Sequence, residues 1–270
     1  MSEQIMGRPV IPKEHGAWAV LYGAFLAGVG VTGRVTLPVT LLLGGVTLLA
    51  LANGPLTDLA RTTAGQMPSA TRRHAFGWLA VYGACAFACL VPLLALYRMA
   101  FLLPFGMAGA LFFALRAFLV RGGDDRSLPG ELIGTAGLTL VGPTAHAVAV
   151  GNAQPAGAVL WLLLFLFFAS GVFYVRMRIR AVLAQRKGLA FVSSRARWWC
   201  LVYHALLLFL IPALAAGNLI PWAVLLAFAP TLWRAAAGLR RRYSTLNIRR
   251  LGWSEVGLTT AFVLLLIAAF

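Results

Sequence analysis

Positions 156–174 read AGAVLWLLLFLFFASGVFY, 19 consecutive residues without a charged side chain. A helix needs roughly 20 such residues to cross about 30 Å of lipid hydrocarbon. A barrel strand would be shorter and would alternate in polarity, which this stretch does not. Because backbone groups in lipid must be hydrogen-bonded within the segment, we predict a transmembrane α-helix here.

The rest of the chain contains eight more windows of this kind. Of its 270 residues, 61% are hydrophobic and 11% are charged, whereas about 25% are charged in an average soluble domain. We therefore predict an all-α polytopic transmembrane bundle, with residues 1–270 forming a single domain. The nine predicted spans lie near Gly16–Thr32, Thr36–Leu59, Phe76–Tyr97, Met99–Val120, Glu131–Val150, Ala156–Tyr174, Trp198–Ala216, Leu219–Ala237 and Trp253–Phe270. No Ala-x-Ala site follows the first span, so we do not expect it to be a cleaved signal peptide.

Basic residues are concentrated in alternate loops. One side contains Arg8, Lys13, Arg61, Arg72, Arg73, Arg121, Arg126 and the runs at 176–197 and 240–250. The other side contains only Arg34 and Arg98. Since basic loops stay in the cytoplasm, we predict a multi-pass protein of the cell (plasma or inner) membrane, with a cytoplasmic N-terminus and an external C-terminus. The net charge of +16 then reflects topology and attraction to anionic lipids, and we predict no nucleic-acid binding.

The cysteines do not resemble a metal site. Cys85 and Cys89 lie one helical turn apart in the third predicted span, and Cys200 is in the seventh. A structural zinc site needs four closed ligands. We predict no metal and no cofactor, and we expect the three thiols to be buried as small apolar groups.

Polar and ionisable side chains collect near one depth of the predicted bundle. Such groups are costly within a membrane and usually face a cavity or a partner. They lie near the cytoplasmic ends of the spans, at Lys13, Glu14, His15, Asn53, Asp58, Arg116, Glu131, Tyr174, Arg176, Arg180, His204 and Glu255. Taken singly, an acid can stabilise a helix dipole and an arginine can reach the head groups. Together they indicate a polar cavity where we expect spans one, two, six and seven to meet.

We predict different roles within this set. Glu14, His15 and His204 are candidates for acid–base catalysis, and we expect His15 or His204 to pair with Glu14, Asp58 or Glu131. The predicted substrate-binding residues are Lys13, Asn53, Asp58, Arg116, Glu131, Tyr174, Arg176 and Arg180. Arg176 and Arg180 share a helix face that suits an anionic head group, whereas Arg178 faces elsewhere and is expected to extend toward the lipid head groups.

Three segments resemble the YwiC-like family of membrane proteins. They are PKEHGAWA at 12–19, RSLPGEL at 126–132 and FFASGVFYVR at 167–176, the last continuing through Ile179-Arg180. The resemblance covers nearly the whole chain, and the Lys-Glu-His-Gly-Ala-Trp string is its most specific part. It implies an architecture rather than a reaction.

The arrangement of spans also resembles, more distantly, that of the UbiA-type intramembrane prenyltransferases. Those enzymes bind a prenyl diphosphate through magnesium, using aspartate-rich motifs after spans two and six. At these places this chain has NGPLTD at 53–58 and YVRMRIR at 174–180. Magnesium prefers carboxylate oxygens, whereas a guanidinium binds phosphate directly. The resemblance therefore implies a lipid-like ligand with an anionic head group, bound without magnesium.

Three functions are compatible with these residues. The first is an intramembrane enzyme or binder acting on an isoprenoid or lipid-like substrate, with a transferase-like reaction in the case of an enzyme. The second is a transporter or permease, which an inverted repeat or mid-bilayer charges would favour. The third is a non-catalytic accessory protein, which mutual pairing of the polar residues would favour. We predict the first, with membrane lipids and an isoprenoid or lipid-like ligand as partners.

Overall fold

A computed structural model of the chain describes residues 9, 15–63, 65, 70–124, 126–186, 195–240 and 247–270. Within these ranges it contains ten α-helices, one short 3-10 helix and no strand. The α-helices are α1 His15–Gly30, α2 Leu37–Thr63, α3 Ala70–Ala95, α4 Leu103–Gly122, α5 Leu128–Thr139, α6 Val141–Val150, α7 Pro155–Arg186, α8 Arg195–Ala216, α9 Val224–Arg240 and α10 Ile248–Ala269. The 3-10 helix Ala100–Leu102 leads directly into α4. The predicted all-α fold is confirmed.

Each predicted span contains one α-helix or, in one case, two. In the described part of the chain, seven helical stretches are long and apolar enough to cross a membrane, beginning at residues 37, 71, 100, 128, 155, 195 and 249. α1 and α9 occupy the first and eighth predicted windows but have only 16 and 17 residues. At 1.5 Å per residue each is about 25 Å long, slightly less than the hydrocarbon thickness. The chain therefore forms a multi-pass membrane bundle.

The fifth predicted span is divided between α5 and α6 at Leu140. Pro143, in the first turn of α6, has no N–H to donate to the preceding turn, which interrupts the helical ladder at this point. Trp161 of α7 donates from its indole Nε1 to the Ala136 carbonyl at 3.1 Å. This bond fixes α5 against α7 just before the interruption.

α7 lies at the centre of one half of the bundle, where it packs against α5, α6, α8 and α9 and touches α1. Phe167 stacks on Phe262 of α10 with 3.8 Å between ring centroids, and Phe228 of α9 packs edge-on against both rings. Aromatic pairs contribute about 0.5–1.5 kcal/mol each beyond the area that they bury. This cluster holds α7, α9 and α10 together.

α1 packs between α6 and α10. Gly28 of α1 approaches Gly142 of α6 so closely that a Cβ on Gly28 would overlap the Gly142 carbonyl oxygen. Gly23 and Gly30 lie against Thr259 and Ile267 of α10. Small residues let backbones approach in a bilayer, where helix association depends on close packing. α1 is therefore held mainly by helices far from it in sequence.

α2 and α3 form a long antiparallel pair, and α2 packs further against α4 and α6. α7 and α8 are not among the main neighbours of α2. The expected meeting of spans one, two, six and seven is therefore not seen. α2 packs with α3, α4 and α6, whereas α7 packs with α5, α6, α8 and α9. Depth along a helix can be read from sequence, but the lateral position of that helix cannot.

Exposed tryptophans lie near the arginine-rich helix ends. Trp198, Trp233 and Trp253 are on α8, α9 and α10, and Trp233 is 77% exposed. Tryptophan is enriched at membrane–water interfaces because it combines a large apolar ring with one N–H donor. These rings indicate that the membrane surface lies near the first two turns of α8 and α10 and the last two turns of α9.

Candidate functional site

A buried charged network connects α7, α9 and α10. Arg234 of α9 forms an ion pair with Glu255 of α10, and its Nη2 donates to Thr231 Oγ1 at 3.0 Å and to Ser170 Oγ at 3.3 Å. The side chains of Arg234 and Glu255 are only 11% and 25% exposed. Charged groups at such sites need partners, because leaving them unpaired in a low dielectric is strongly unfavourable. The network supplies partners for the two terminal nitrogens of the guanidinium, Nη1 and Nη2.

The two hydroxyl groups of the network are fully buried and bonded to each other. Ser170 Oγ donates to the Phe167 carbonyl at 2.6 Å and lies 2.9 Å from Thr231 Oγ1. Because a hydroxyl has a single proton, Ser170 must accept from both Thr231 and Arg234. Ser170 thus links the backbone of α7 to the charged pair.

Tyr174 packs against the network one turn further along α7. The Arg234 guanidinium carbon lies 4.4 Å from the centroid of the tyrosine ring, a cation–π contact. Arg178 Nη1 donates to the phenol oxygen at 3.1 Å. The prediction that Arg178 extends toward the head groups is wrong, because residues four apart on a helix share a face. Gly238 leaves room for the ring, since a Cβ there would lie 2.5 Å from Tyr174 Cε2.

A second charged cluster joins α5 to α7. Arg176 Nη1 lies 2.9 Å from Glu131 Oε2 and donates to the Arg126 carbonyl at 3.0 Å. Ser127 caps α5 by accepting the Gly130 N–H at 3.2 Å, which holds the segment that presents this carbonyl. The side chains of Arg176 and Glu131 are 24% and 36% exposed, so this pair is more solvated than the Arg234 pair.

Two more arginines of the predicted site flank this cluster. Arg116 of α4 lies against α5, where a Cβ on Gly134 would be 2.9 Å from its Nη1. Gly134 follows Glu131 by three residues, so Arg116 lies close to the Glu131–Arg176 pair. Arg180 is exposed one turn beyond Arg176 and has no polar partner among the described residues. The structure thus gathers Arg116, Glu131 and Arg176, with Arg180 at their edge.

His204 lies inside the bundle on α8 and is 6% exposed. Its Nδ1 lies 2.7 Å from the Cys200 carbonyl oxygen, and its Nε2 has no partner in the described part of the chain. The ring packs edge-on against Tyr203 at 5.8 Å between centroids. The expected pairing of His204 with Asp58 or Glu131 is not observed in the described residues.

The remaining predicted residues are on α1 and α2 or precede them. Asn53 and Asp58 are on α2, where Asp58 lies within electrostatic range of His74 on α3. They belong to the α2–α3 pair rather than to the arginines of α7. The structure describes only the backbone of His15, and Lys13 and Glu14 lie outside the described residues.

The cysteines are not all buried. Cys200 is buried and Cys89 is partly buried, but Cys85 is exposed on the outer face of α3. The expectation for Cys85 is therefore wrong, and a thiol on a lipid-facing surface is tolerated because it behaves as a small apolar group. Among the side chains that the structure describes, no three His, Cys, Asp or Glu residues are placed to share a metal ion.

Arg234 is absent from the predicted site, although the sequence contains a signal for it. It is the sole charged residue of the predicted span Leu219–Ala237, and Glu255 is the sole charged residue of the span Trp253–Phe270. A lone ionisable residue within a span usually has a partner on a neighbouring helix. The two lone charges of opposite sign therefore predict the observed pair.

Comparison with known proteins places the chain among its relatives. The family profile described as "YwiC-like protein" matches residues 11–146. The chain is 30% identical over 228 residues to the "Uncharacterized protein YwiC" of Bacillus subtilis (strain 168), an alignment that covers 84% of this chain and 85% of that protein. No solved structure matches the chain. The family suggested by the three sequence segments is confirmed, and the chain belongs to the YwiC-like family of integral membrane proteins.

Proposed function

We propose that the protein binds a lipid-like molecule with an anionic head group at the arginine-bearing end of α7. The observation that carries this proposal is the arrangement of Arg176 and Arg180, one turn apart on that helix. Arg176 is partly buried and paired with Glu131, whereas Arg180 is exposed and without a polar partner in the described ranges. A guanidinium suits a phosphate or carboxylate because its N–H groups bind two oxygens at once.

The length of α7 supports this location. The helix has 32 residues, so it is about 48 Å long, whereas the hydrocarbon layer is about 30 Å thick. From Pro155, roughly 20 residues cross the hydrocarbon and reach the level of Tyr174. Arg176 and Arg180 then lie at the depth of the head groups, and the apolar tail of the ligand would extend back along the helices.

The charge distribution supports the cytoplasmic leaflet of the cell membrane as the location of this end. The basic ends of several helices contact each other there. Arg197 near the start of α8 donates to the Leu239 carbonyl near the end of α9 at 3.2 Å, and Arg176 contacts the segment before α5. Under the positive-inside rule this end faces the cytoplasm, with the N-terminus inside and the C-terminus outside.

The distant resemblance to UbiA-type enzymes suggests the chemical class of the ligand. Arginines in place of the second aspartate-rich motif favour a prenyl diphosphate or a similar lipid bound without an obligatory divalent metal. We extend the proposal to a transferase-like reaction on this ligand. Glu14, His15 and His204 are the residues that we propose to move protons in that reaction.

A non-catalytic accessory role is the second candidate, and the pairing of the acids favours it. Glu131 and Glu255 are both bonded to arginines on other helices. Such pairs fix the relative position of helices, which is a sufficient reason for buried charge in a membrane protein without chemistry. In this role the protein would bind no prenyl diphosphate specifically.

The test is the dissociation constant of farnesyl diphosphate for the purified protein in neutral-lipid nanodiscs. A hydrogen bond to a charged group contributes about 1.5–3 kcal/mol, so Arg180→Ala is expected to weaken binding roughly 10- to 150-fold. Glu131→Gln should strengthen binding, because it releases Arg176 from its pair. A chelator should leave the wild-type affinity unchanged.

Arg34→Ala is the matched control, since Arg34 is exposed and lies on the opposite side of the bundle. Its affinity should equal that of the wild type. The proposal is wrong if Arg180→Ala binds as tightly as Arg34→Ala, and loss of binding on chelation would instead indicate a metal site. Absence of wild-type binding would favour the accessory role.

A further inference from the structure

Three buried polar atoms near the Arg234 network have no hydrogen-bond partner among the described residues. They are His204 Nε2, Arg234 Nε and Glu255 Oε1, on α8, α9 and α10. Leaving a buried polar atom unbonded is unfavourable by about the full desolvation cost of the group. Three of them on three successive helices indicate a place that another polar group occupies.

These three residues belong to one region of the bundle. Arg234 is paired with Glu255, and its helix α9 packs against both α8 and α10. Cys200 and Leu251 pack in one buried cluster. His204 and Glu255 follow these two residues by four positions, on the same helix faces. His204 and Glu255 therefore both lie one turn deeper than that cluster, on two helices that pack against α9.

The hydrogen bond to Cys200 determines which nitrogen of His204 is available. A carbonyl oxygen can only accept, so Nδ1 must carry the proton that is shared at 2.7 Å. The His204 ring is buried, which disfavours its charged form and therefore favours the neutral ring. In the neutral ring with Nδ1 protonated, Nε2 has a lone pair and can only accept a hydrogen bond.

The available groups are thus two acceptors, His204 Nε2 and Glu255 Oε1, and one donor, Arg234 Nε–H. A hydroxyl group matches this set, because it donates one hydrogen bond and accepts others. An anionic oxygen does not, since it would face a carboxylate and a lone pair. The surroundings are apolar and aromatic, with Phe173 stacked on Tyr203 at 4.4 Å and the Tyr203 hydroxyl already donating to the Leu166 carbonyl.

We propose that His204, Arg234 and Glu255 bind the hydroxyl group of an apolar alcohol within the bundle. The hydroxyl donates to His204 Nε2 and accepts from Arg234 Nε–H, while Glu255 holds Arg234 in place through their ion pair. The site goes beyond the proposed function, because it selects a neutral hydrogen-bond donor, whereas Arg180 is proposed to bind an anion. The hydroxyl site lies deeper in the membrane than the proposed head-group site at Arg176 and Arg180. His204 is nine residues along α8 from Arg195, which is about 13 Å from the start of that helix.

The test compares farnesol with farnesyl methyl ether, which has the same chain but no O–H, at equal mole fractions in nanodiscs. The wild type is expected to bind the alcohol about tenfold more tightly than the ether. His204→Asn, which lacks an acceptor at the Nε2 position, should bind both equally. His204→Gln should retain part of the preference, because its longer amide can present an oxygen near that position.

His146→Asn is the matched control, because His146 is also 6% exposed and its Nδ1 has no partner within the described ranges, but it lies on α6. It should keep the full preference for the alcohol. A second measurement needs no variant of His204: in histidine-labelled wild type, ¹⁵N NMR should show the free Nε2 resonance of one ring shifting with farnesol and not with the ether.

Equal affinity for alcohol and ether in the wild type would overturn the proposal and would mean that water fills the site. An alcohol preference that survives in His204→Asn would overturn it as well, because the hydroxyl would then bind elsewhere. Farnesyl diphosphate binding depends on Arg180 and not on His204 in these proposals. Failure of one proposal is therefore distinguishable from failure of the other.

Discussion

Replacing Arg234 by alanine is expected to destabilise the protein by about 3–5 kcal/mol, as when one partner of a buried ion pair is removed. The change deletes the ion pair with Glu255, the bonds to Ser170 and Thr231 and the cation–π contact with Tyr174. Glu255 is left with its charge in a position where its side chain is 25% exposed. Most of the loss comes from this unpaired carboxylate.

Arg176→Ala provides the internal comparison. Arg176 also pairs with a glutamate, but Glu131 is 36% exposed. Water screens that pair and can solvate the remaining carboxylate, so the expected loss is about 1 kcal/mol. The difference between the two arginines therefore measures the effect of burial on otherwise similar pairs.

The assay is thermal unfolding in one detergent. Unfolding is measured as the rate at which Cys200 becomes alkylated, because this thiol is buried in the folded protein. Cys85 and Cys89 are replaced by alanine beforehand, so that Cys200 is the sole thiol of the chain. Equal destabilisation by Arg234→Ala and Arg176→Ala would refute the reasoning. Arg234→Met combined with Glu255→Leu should recover most of the stability, because it leaves no buried charge without a partner.

Two further predictions concern packing and topology. Gly28→Ala should destabilise the protein by about 1–3 kcal/mol, because the added methyl group overlaps the Gly142 backbone. Gly109→Ala is the control. It should be neutral in the same thermal assay, because a Cβ at Gly109 meets nothing within 4 Å. Cysteines introduced at Asn152 and Gln185 should react with a membrane-impermeant reagent from outside and inside the cell, respectively, and labelling of Asn152 only from the cytoplasm would contradict the proposed orientation.

The membrane helices were predictable from sequence because burial in lipid depends on local composition. The window Ala156–Tyr174 lies within α7, which continues to Arg186 because its basic residues lie beyond the hydrocarbon and remain good helix formers. The predicted spans ended before the helices at such basic ends, because polar residues lower the hydropathy of a segment without ending its helix. The interruption at Leu140 depends on Pro143, whose missing N–H is visible in the sequence.

The site was less predictable, because depth and lateral position are separate quantities. Glu131 and Arg176 were both selected for their depth, and they meet because α5 and α7 are neighbours. Asp58 has a similar predicted depth but lies beside α3. Hydropathy reports local composition and does not predict which helices are neighbours in the bundle. Their arrangement depends on long-range packing, such as the contact of Gly28 with Gly142.

The position of α1 has a consequence for biosynthesis. A chain is made from its N-terminus, so α1 enters the membrane before the other nine α-helices that the structure describes. Its packing partners are α6, in the middle of the chain, and α10, at its end, where Gly30 lies against Ile267. Until α10 is translated, one face of α1 has only lipid or a chaperone to contact. The packing of α1 is therefore completed only after α10 has been synthesised, and a ribosome that stops before Ile248 releases a chain in which the side of α1 that faces α10 stays uncovered.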